Sequence, residues 1–128
     1  KRLGYDFLNI VHPSAYLSDS VKIGEGIQIM AGAVINADTE IGDNSIINSN
    51  STVEHDCVIA QHCHVSPGAT ICGGVKVGIQ AHIGAGATVL QGLEVGIQSV
   101  VAAGSILVKD LAGQKLSKGA VPTVSDWN

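Results

Sequence analysis

The sequence predicts an all-β fold, a parallel β-helix of nearly six triangular coils. Three observations carry that prediction. Val, Leu or Ile stands at every sixth position from Val11 to Leu107, seventeen times without gap or insertion. Four residues after each aliphatic comes a mostly small residue, such as Ala33, Ser45, Cys57, Cys63, Ala69 or Ala87. Three residues after it, twelve of the seventeen positions are Gly, Asn or Asp, among them Gly26, Asp38, Asn50, Asp56, Gly74, Gly104 and Asp110. A fixed short period marks a unit that buries its apolar side only by stacking on its neighbours.

Each hexad reads the same way. The aliphatic residue is an inward rung, and the small residue turns inward beside it. Gly, Asn and Asp tolerate positive φ at low cost, so they form the corner. A period of six fits neither the helical repeat of about 3.6 nor the simple alternation of a flat strand. Three hexads make an eighteen-residue coil, and successive coils should stack at the strand spacing of roughly 4.8 Å. A chain that is 45% hydrophobic but holds one Trp, one Phe and two Tyr suits a core of thin aliphatic layers.

The two ends depart from the period. Residues 1–10 read as a lead-in segment or the remnant of a linker, 11–111 as the β-helix domain, and 112–128 as a C-terminal tail packing on the last coils. The chain starts at Lys1 rather than Met, as a trimmed chain or fragment would. The 128 residues fit one domain, and the net charge of −4 gives no electrostatic footprint for nucleic acid. The given residues hold no membrane-length apolar run and none that reads as a signal peptide, and three cysteines without metal-ligand spacing lead us to expect a reducing cytoplasm. Cys57 and Cys63 fall on the small inward place and read as core filler; Cys72 is the candidate exposed thiol.

Chemistry concentrates in residues 53–68, which hold three of the five histidines, His55, His62 and His64. None takes an inward place, so all should lie outside the core. The plain readings are structural: Asp56 and His62 as corner residues, and His64 and His82, one coil apart, as a surface ladder. The sharper reading is a general base, a histidine oriented by a carboxylate that takes a proton from an amine or hydroxyl as it attacks a thioester.

The hexad pattern resembles the hexapeptide-repeat acyltransferase superfamily, which implies a left-handed coil; physical rules alone favour a right-handed crossover. The string Val53-Glu54-His55-Asp56-Cys57-Val58-Ile59, then His62-Cys63-His64-Val65-Ser66-Pro67-Gly68, is similar to the active-site block of the sialic acid O-acetyltransferase and bacillosamine-type nucleotide-sugar N-acetyltransferase family. Gly4-Tyr5-Asp6-Phe7 and Val11-His12-Pro13-Ser14-Ala15 also resemble that family's lead into its β-helix. The resemblance implies His55 as proton acceptor, Asp56 as the carboxylate that holds and activates it, and Asn48 as an acceptor-site contact. It implies His64 at the acetyl end of acetyl-CoA, the Gly73 N–H toward the oxyanion, and Ala85 and Ala103 along the pantetheine arm.

The chain departs from the family in two places. It begins after the family's N-terminal sugar-binding domain, and its tail reads Gly119-Ala120-Val121-Pro122-Thr123-Val124 where the family has Gly-Val-Pro-Ala-Lys. Lys115 and Lys118 remain as point charges for coenzyme phosphates. The zinc-binding hexapeptide carbonic anhydrases use two histidines five residues apart; no pair here has that spacing, so no metal is expected.

His55 and His64 are nine residues apart, half a coil, and should lie on different sides of one prism. That geometry predicts a homotrimer with active sites at its interfaces. Three function classes fit these residues: an acetyl-CoA-dependent acetyltransferase acting on an amino or hydroxyl group of a sugar or nucleotide sugar, an acyltransferase for another small acceptor, and a non-catalytic trimeric scaffold. The stacked Thr52, Thr70 and Thr88 are the thin support for the third.

Overall fold

The computed structural model describes residues 7–119. Gly4, Tyr5 and Asp6 of the lead-in motif and Ala120 to Val124 of the tail motif lie outside these residues. The described chain is a left-handed parallel β-helix without α-helix. Each strand is two residues long and pairs in parallel with strands one coil away. The strands form three walls of seven, six and five strands.

The walls differ in what they show outward. The first wall runs from Ile10–Val11 to Leu116–Ser117 and presents Gln28, Ile46, His64, His82 and Val100. The second presents Tyr16, Val34, Thr52, Thr70, Thr88 and Ile106. The third presents Lys22, Glu40, Val58, Lys76 and Glu94. Two walls are therefore uncharged, and the third carries the strand charges.

The interior follows the expected assignment. From Ile29 to Leu107 every sixth-place aliphatic is buried, at 4% exposure or less. The small inward place holds Ala33, Thr39, Ser45, Ser51, Cys57, Cys63, Ala69, Ala81, Ala87, Ser99 and Ser105, all buried. Its hydroxyls and thiols bond to backbone carbonyls, Ser45 Oγ donating to Ala60 O at 2.9 Å and Cys57 Sγ to Cys72 O at 3.1 Å. That satisfies polar atoms that burial would otherwise penalise. Burial pushes both the Cys57 and the Cys63 thiol up from the ordinary thiol range.

The corners hold one correction. Asp38, Asn44, Asn50, Asp56 and His62 adopt positive φ as expected, and so do Gln80 and Gln98. Asp110 does not. The last coil is shorter: Glu94 N–H meets Asp110 Oδ1, Val95 bridges Leu111, and Val100 pairs with Leu116, each sixteen residues on rather than eighteen. Two residues are lost between Leu107 and Leu111, so the corner moves to Gln114, at φ 58°. Residues 112–119 extend the first wall by the Leu116–Ser117 strand.

Candidate active site

The candidate residues gather at two corners rather than one. The corner between the second and third walls carries His55, Asp56 and Gly73. Positive φ at Asp56 (59°) turns its side chain back beside its neighbour, and His55 Nδ1 lies 2.8 Å from Asp56 Oδ2. Both side chains are exposed. An ionised carboxylate only accepts, so Nδ1 of a neutral His55 carries the proton and Nε2 is left bare. The chain one coil later passes beneath the ring. A Cβ built on Gly73 would lie 2.7 Å from His55 Nε2, so only a glycine leaves the imidazole its place. Gly74 N–H donates to His55 O at 2.9 Å and fixes the vertical register. The Gly73 N–H meets no partner among the described residues.

The corner between the first and second walls carries Asn48, Ala85 and Ala103, with His64 on the adjoining strand. Asn48 Nδ2 lies 3.1 Å from His64 Nε2. The contact repeats one coil on, where Ser66 Oγ lies 2.7 Å from His82 Nε2. The His64 and His82 rings stack with centroids 4.8 Å apart. Burial, and after it the nearby His82, holds the His64 ring below the ordinary histidine range. Ala85 and Ala103 are exposed and stacked, with Gly104 N–H donating to Ala85 O at 2.8 Å. Small side chains leave main-chain groups open along this edge.

The geometry thus joins His55, Asp56 and Gly73, and separately joins Asn48 to His64. Asn48 does not reach His55. From sequence, Ser66 carries no assigned chemistry and His82 reads only as part of a surface ladder; the structure pairs the two. The repeated sixteen-residue spacing of 48 with 64 and 66 with 82 was the available signal. Among the described residues no three His, Cys, Asp or Glu side chains gather as a metal site would require, and no helix is long and apolar enough to cross a membrane.

Residues 20–55 and 38–73 match the family described as bacterial transferase hexapeptide, six repeats. With its uninterrupted period and its coil, the chain is a hexapeptide-repeat protein. Within that class it is similar to solved structures of sugar N-acetyltransferases. Perosamine N-acetyltransferase from Caulobacter crescentus, solved with CoA and GDP-perosamine, is 44% identical, with a TM-score of 0.87 over 88% of this chain and 54% of that one. The acetyltransferase domain of PglB from Neisseria gonorrhoeae, solved with acetyl coenzyme A, is 35% identical, with a TM-score of 0.88 over 95% and 60%. WeeI from Acinetobacter baumannii is 28% identical, with a TM-score of 0.83 over 85% and 54%. The chain therefore spans 54% to 60% of the length of these proteins. No curated protein sequence matches it significantly.

Proposed function

We propose that the chain is an acetyl-CoA-dependent acetyltransferase whose acceptor is the amino group of a nucleotide-linked sugar. One observation carries the reading: a histidine fixed by a carboxylate, with its free Nε2 held over a glycine whose N–H is unused. The perosamine enzyme, which holds CoA and GDP-perosamine, supports the choice of cosubstrate and acceptor.

In this mechanism His55 Nε2 takes a proton from the attacking amine as its nitrogen bonds to the thioester carbonyl carbon. The carbonyl oxygen gathers negative charge, and the Gly73 N–H, which has no other partner among the described residues, would stabilise it. The C–S bond then breaks, and the proton on His55 passes to the departing CoA sulfur. Asp56 stabilises the imidazolium that forms in between. Ala85 and Ala103 give the pantetheine arm a smooth edge parallel to the coil axis, and His64 meets the acyl end.

The two corners are separated by the aliphatic core, so we place each site between subunits of a homotrimer. A closed ring of three needs two different complementary patches per subunit. The two uncharged walls supply them. Exposed Ile10, Tyr16, Val100, Ile106 and Leu116 belong to those walls, whereas the third wall contributes only Val58 among the large exposed apolar residues of its strands. Packing the first wall of one subunit on the second wall of the next brings His55 alongside the partner subunit's His64. Three free thiols and a CoA cosubstrate suit the cytoplasm.

The test is acetyl-CoA-dependent release of free CoA thiol against a panel of nucleotide amino sugars, with the acetylated product read by mass spectrometry. Turnover with at least one amino sugar is expected. Absence of both turnover and calorimetric binding of acetyl-CoA would overturn the reading.

A further inference from the structure

The hydrogen bonds around His64 specify where its proton sits. Ser49 N–H can only donate, and it lies 2.8 Å from Asn48 Oδ1. The Asn48 carboxamide is therefore oriented with its oxygen toward Ser49 and its NH2 toward His64. That NH2 has only hydrogens to offer, so His64 Nε2, 3.1 Å away, must accept. A neutral ring then carries its proton on Nδ1, and Nδ1 meets no partner among the described residues. Protonating Nε2 would set two donors against each other.

Below His64 lies a second ring. His82 is stacked 4.8 Å away, with its own Nε2 on the Ser66 hydroxyl. The strands flanking His64 present Ile46 on one side and His82 on the other, so His82 is the titratable group facing it from the elements packed against it. Two imidazolium rings at this separation repel, so the pair resists double protonation.

We propose that His64 is a permanently neutral hydrogen-bond donor, locked as the Nδ1–H tautomer by Asn48 and Ser49 and backed by the His82–Ser66 pair, and that its Nδ1–H is aimed at a neutral carbonyl oxygen, that of the acyl thioester. This rests on the acyl-transfer reading and makes Asn48, Ser49, Ser66 and His82 positioning residues for His64. It also reassigns Asn48, for which the family resemblance implies an acceptor-site contact.

The test reads the ring directly, by nitrogen NMR of the histidine-labelled full chain between about pH 5.5 and 8, the range in which an ordinary histidine titrates. A bare Nε2 and a protonated Nδ1 throughout are expected. A proton on Nε2, or a cationic ring near pH 6, would overturn the proposal. Asn48→Asp replaces the NH2 by an acceptor. It should move the proton to Nε2, raise the titration of His64, and raise KM for acetyl-CoA about tenfold, the scale of one lost hydrogen bond. His82→Phe keeps the stack without the second charge. It should raise the His64 titration and leave the tautomer unchanged; an unmoved titration removes His82 from the role. Acetyl-CoA calorimetry separates the two readings. A locked ring in a chain that does not bind acetyl-CoA refutes the acyl-transfer reading alone, and a chain that binds it with the proton on Nε2 refutes the lock alone.

Discussion

At Gly73 a single methyl group is enough to disturb His55, because a Cβ there would lie 2.7 Å from both Cε1 and Nε2 of the ring. Gly73 has no positive φ, and His55 is exposed. The backbone therefore accepts alanine, and the ring yields instead. Gly73→Ala should melt like the native protein yet lose about 10²-fold in rate, the scale of an ångström of misplacement. His55→Ala should also fold and lose at least about 10²-fold, as removal of a general base does. Thermal melts by circular dichroism alongside kcat decide both; a Gly73→Ala protein of native rate would show that His55 does not need this position. The His55–Asp56 pair was legible in the sequence because the residues are adjacent. The eighteen-residue coil puts Gly73 one layer from His55, and the family resemblance implies a role for its N–H, but the close approach to the ring is visible only in the structure. The contact of Asn48 with His64 was not legible, since it depends on an amide orientation that only Ser49 N–H fixes.

Within one hexad the inward small place tolerates chemistry as long as a hydrogen goes to a backbone carbonyl, fifteen residues on from Ser45 and Cys57 and three back from Ser51 and Ser105. Ser45 and Cys57 make the same bond with different atoms. Cys57→Ser and Cys63→Ser should therefore change stability by less than about 1 kcal/mol, comparable to a mild substitution. They should also remove a pH effect. The folded-state pKa of both thiols is raised by burial. Their contribution is full below the unfolded thiol value of about 8.5 and is lost as pH rises toward the folded value. Denaturant midpoints should fall above about pH 8.5 in the native chain and stay flatter in the double variant; equal slopes would refute this. Corners were read from Gly, Asn and Asp, and that rule missed Gln80, Gln98 and Gln114. Glutamine has no special tolerance for positive φ. Here the three join in a side-chain ladder, Gln98 Nε2 donating to Gln80 Oε1 at 2.9 Å and Gln114 Nε2 to Gln98 Oε1 at 3.0 Å. The ladder offsets a backbone cost of about 1–2 kcal/mol per residue. The rule also overreached at Asp110, because nothing in the hexad announces that the last coil is two residues short.

For the whole molecule, the charge pattern of the walls makes a directional prediction about assembly. Thr70→Arg on the second wall should break the trimer, because an unpaired charge would be buried against an uncharged face. Val58→Lys on the third wall should leave it intact, adding one more charge to a wall that already carries Lys22, Glu40, Lys76 and Glu94. Sedimentation velocity distinguishes the outcomes, and a native chain that sediments as a monomer rejects the interface site altogether. The repeat made the coil and its three walls legible from sequence. Handedness was not, since the period is the same for either hand.

Because each coil touches only the coil above and the coil below, opening must begin at an end and travel inward. The wall that bears His64 and His82 has three strands before them and two after. Fraying of the terminal coils is the low-energy motion of such a stack. It can run through two turns at either end before it reaches the imidazoles. Slow amide exchange should thus peak at residues 53–83, so that the part of the chain with the most demanding geometry is also the last to lose its shape.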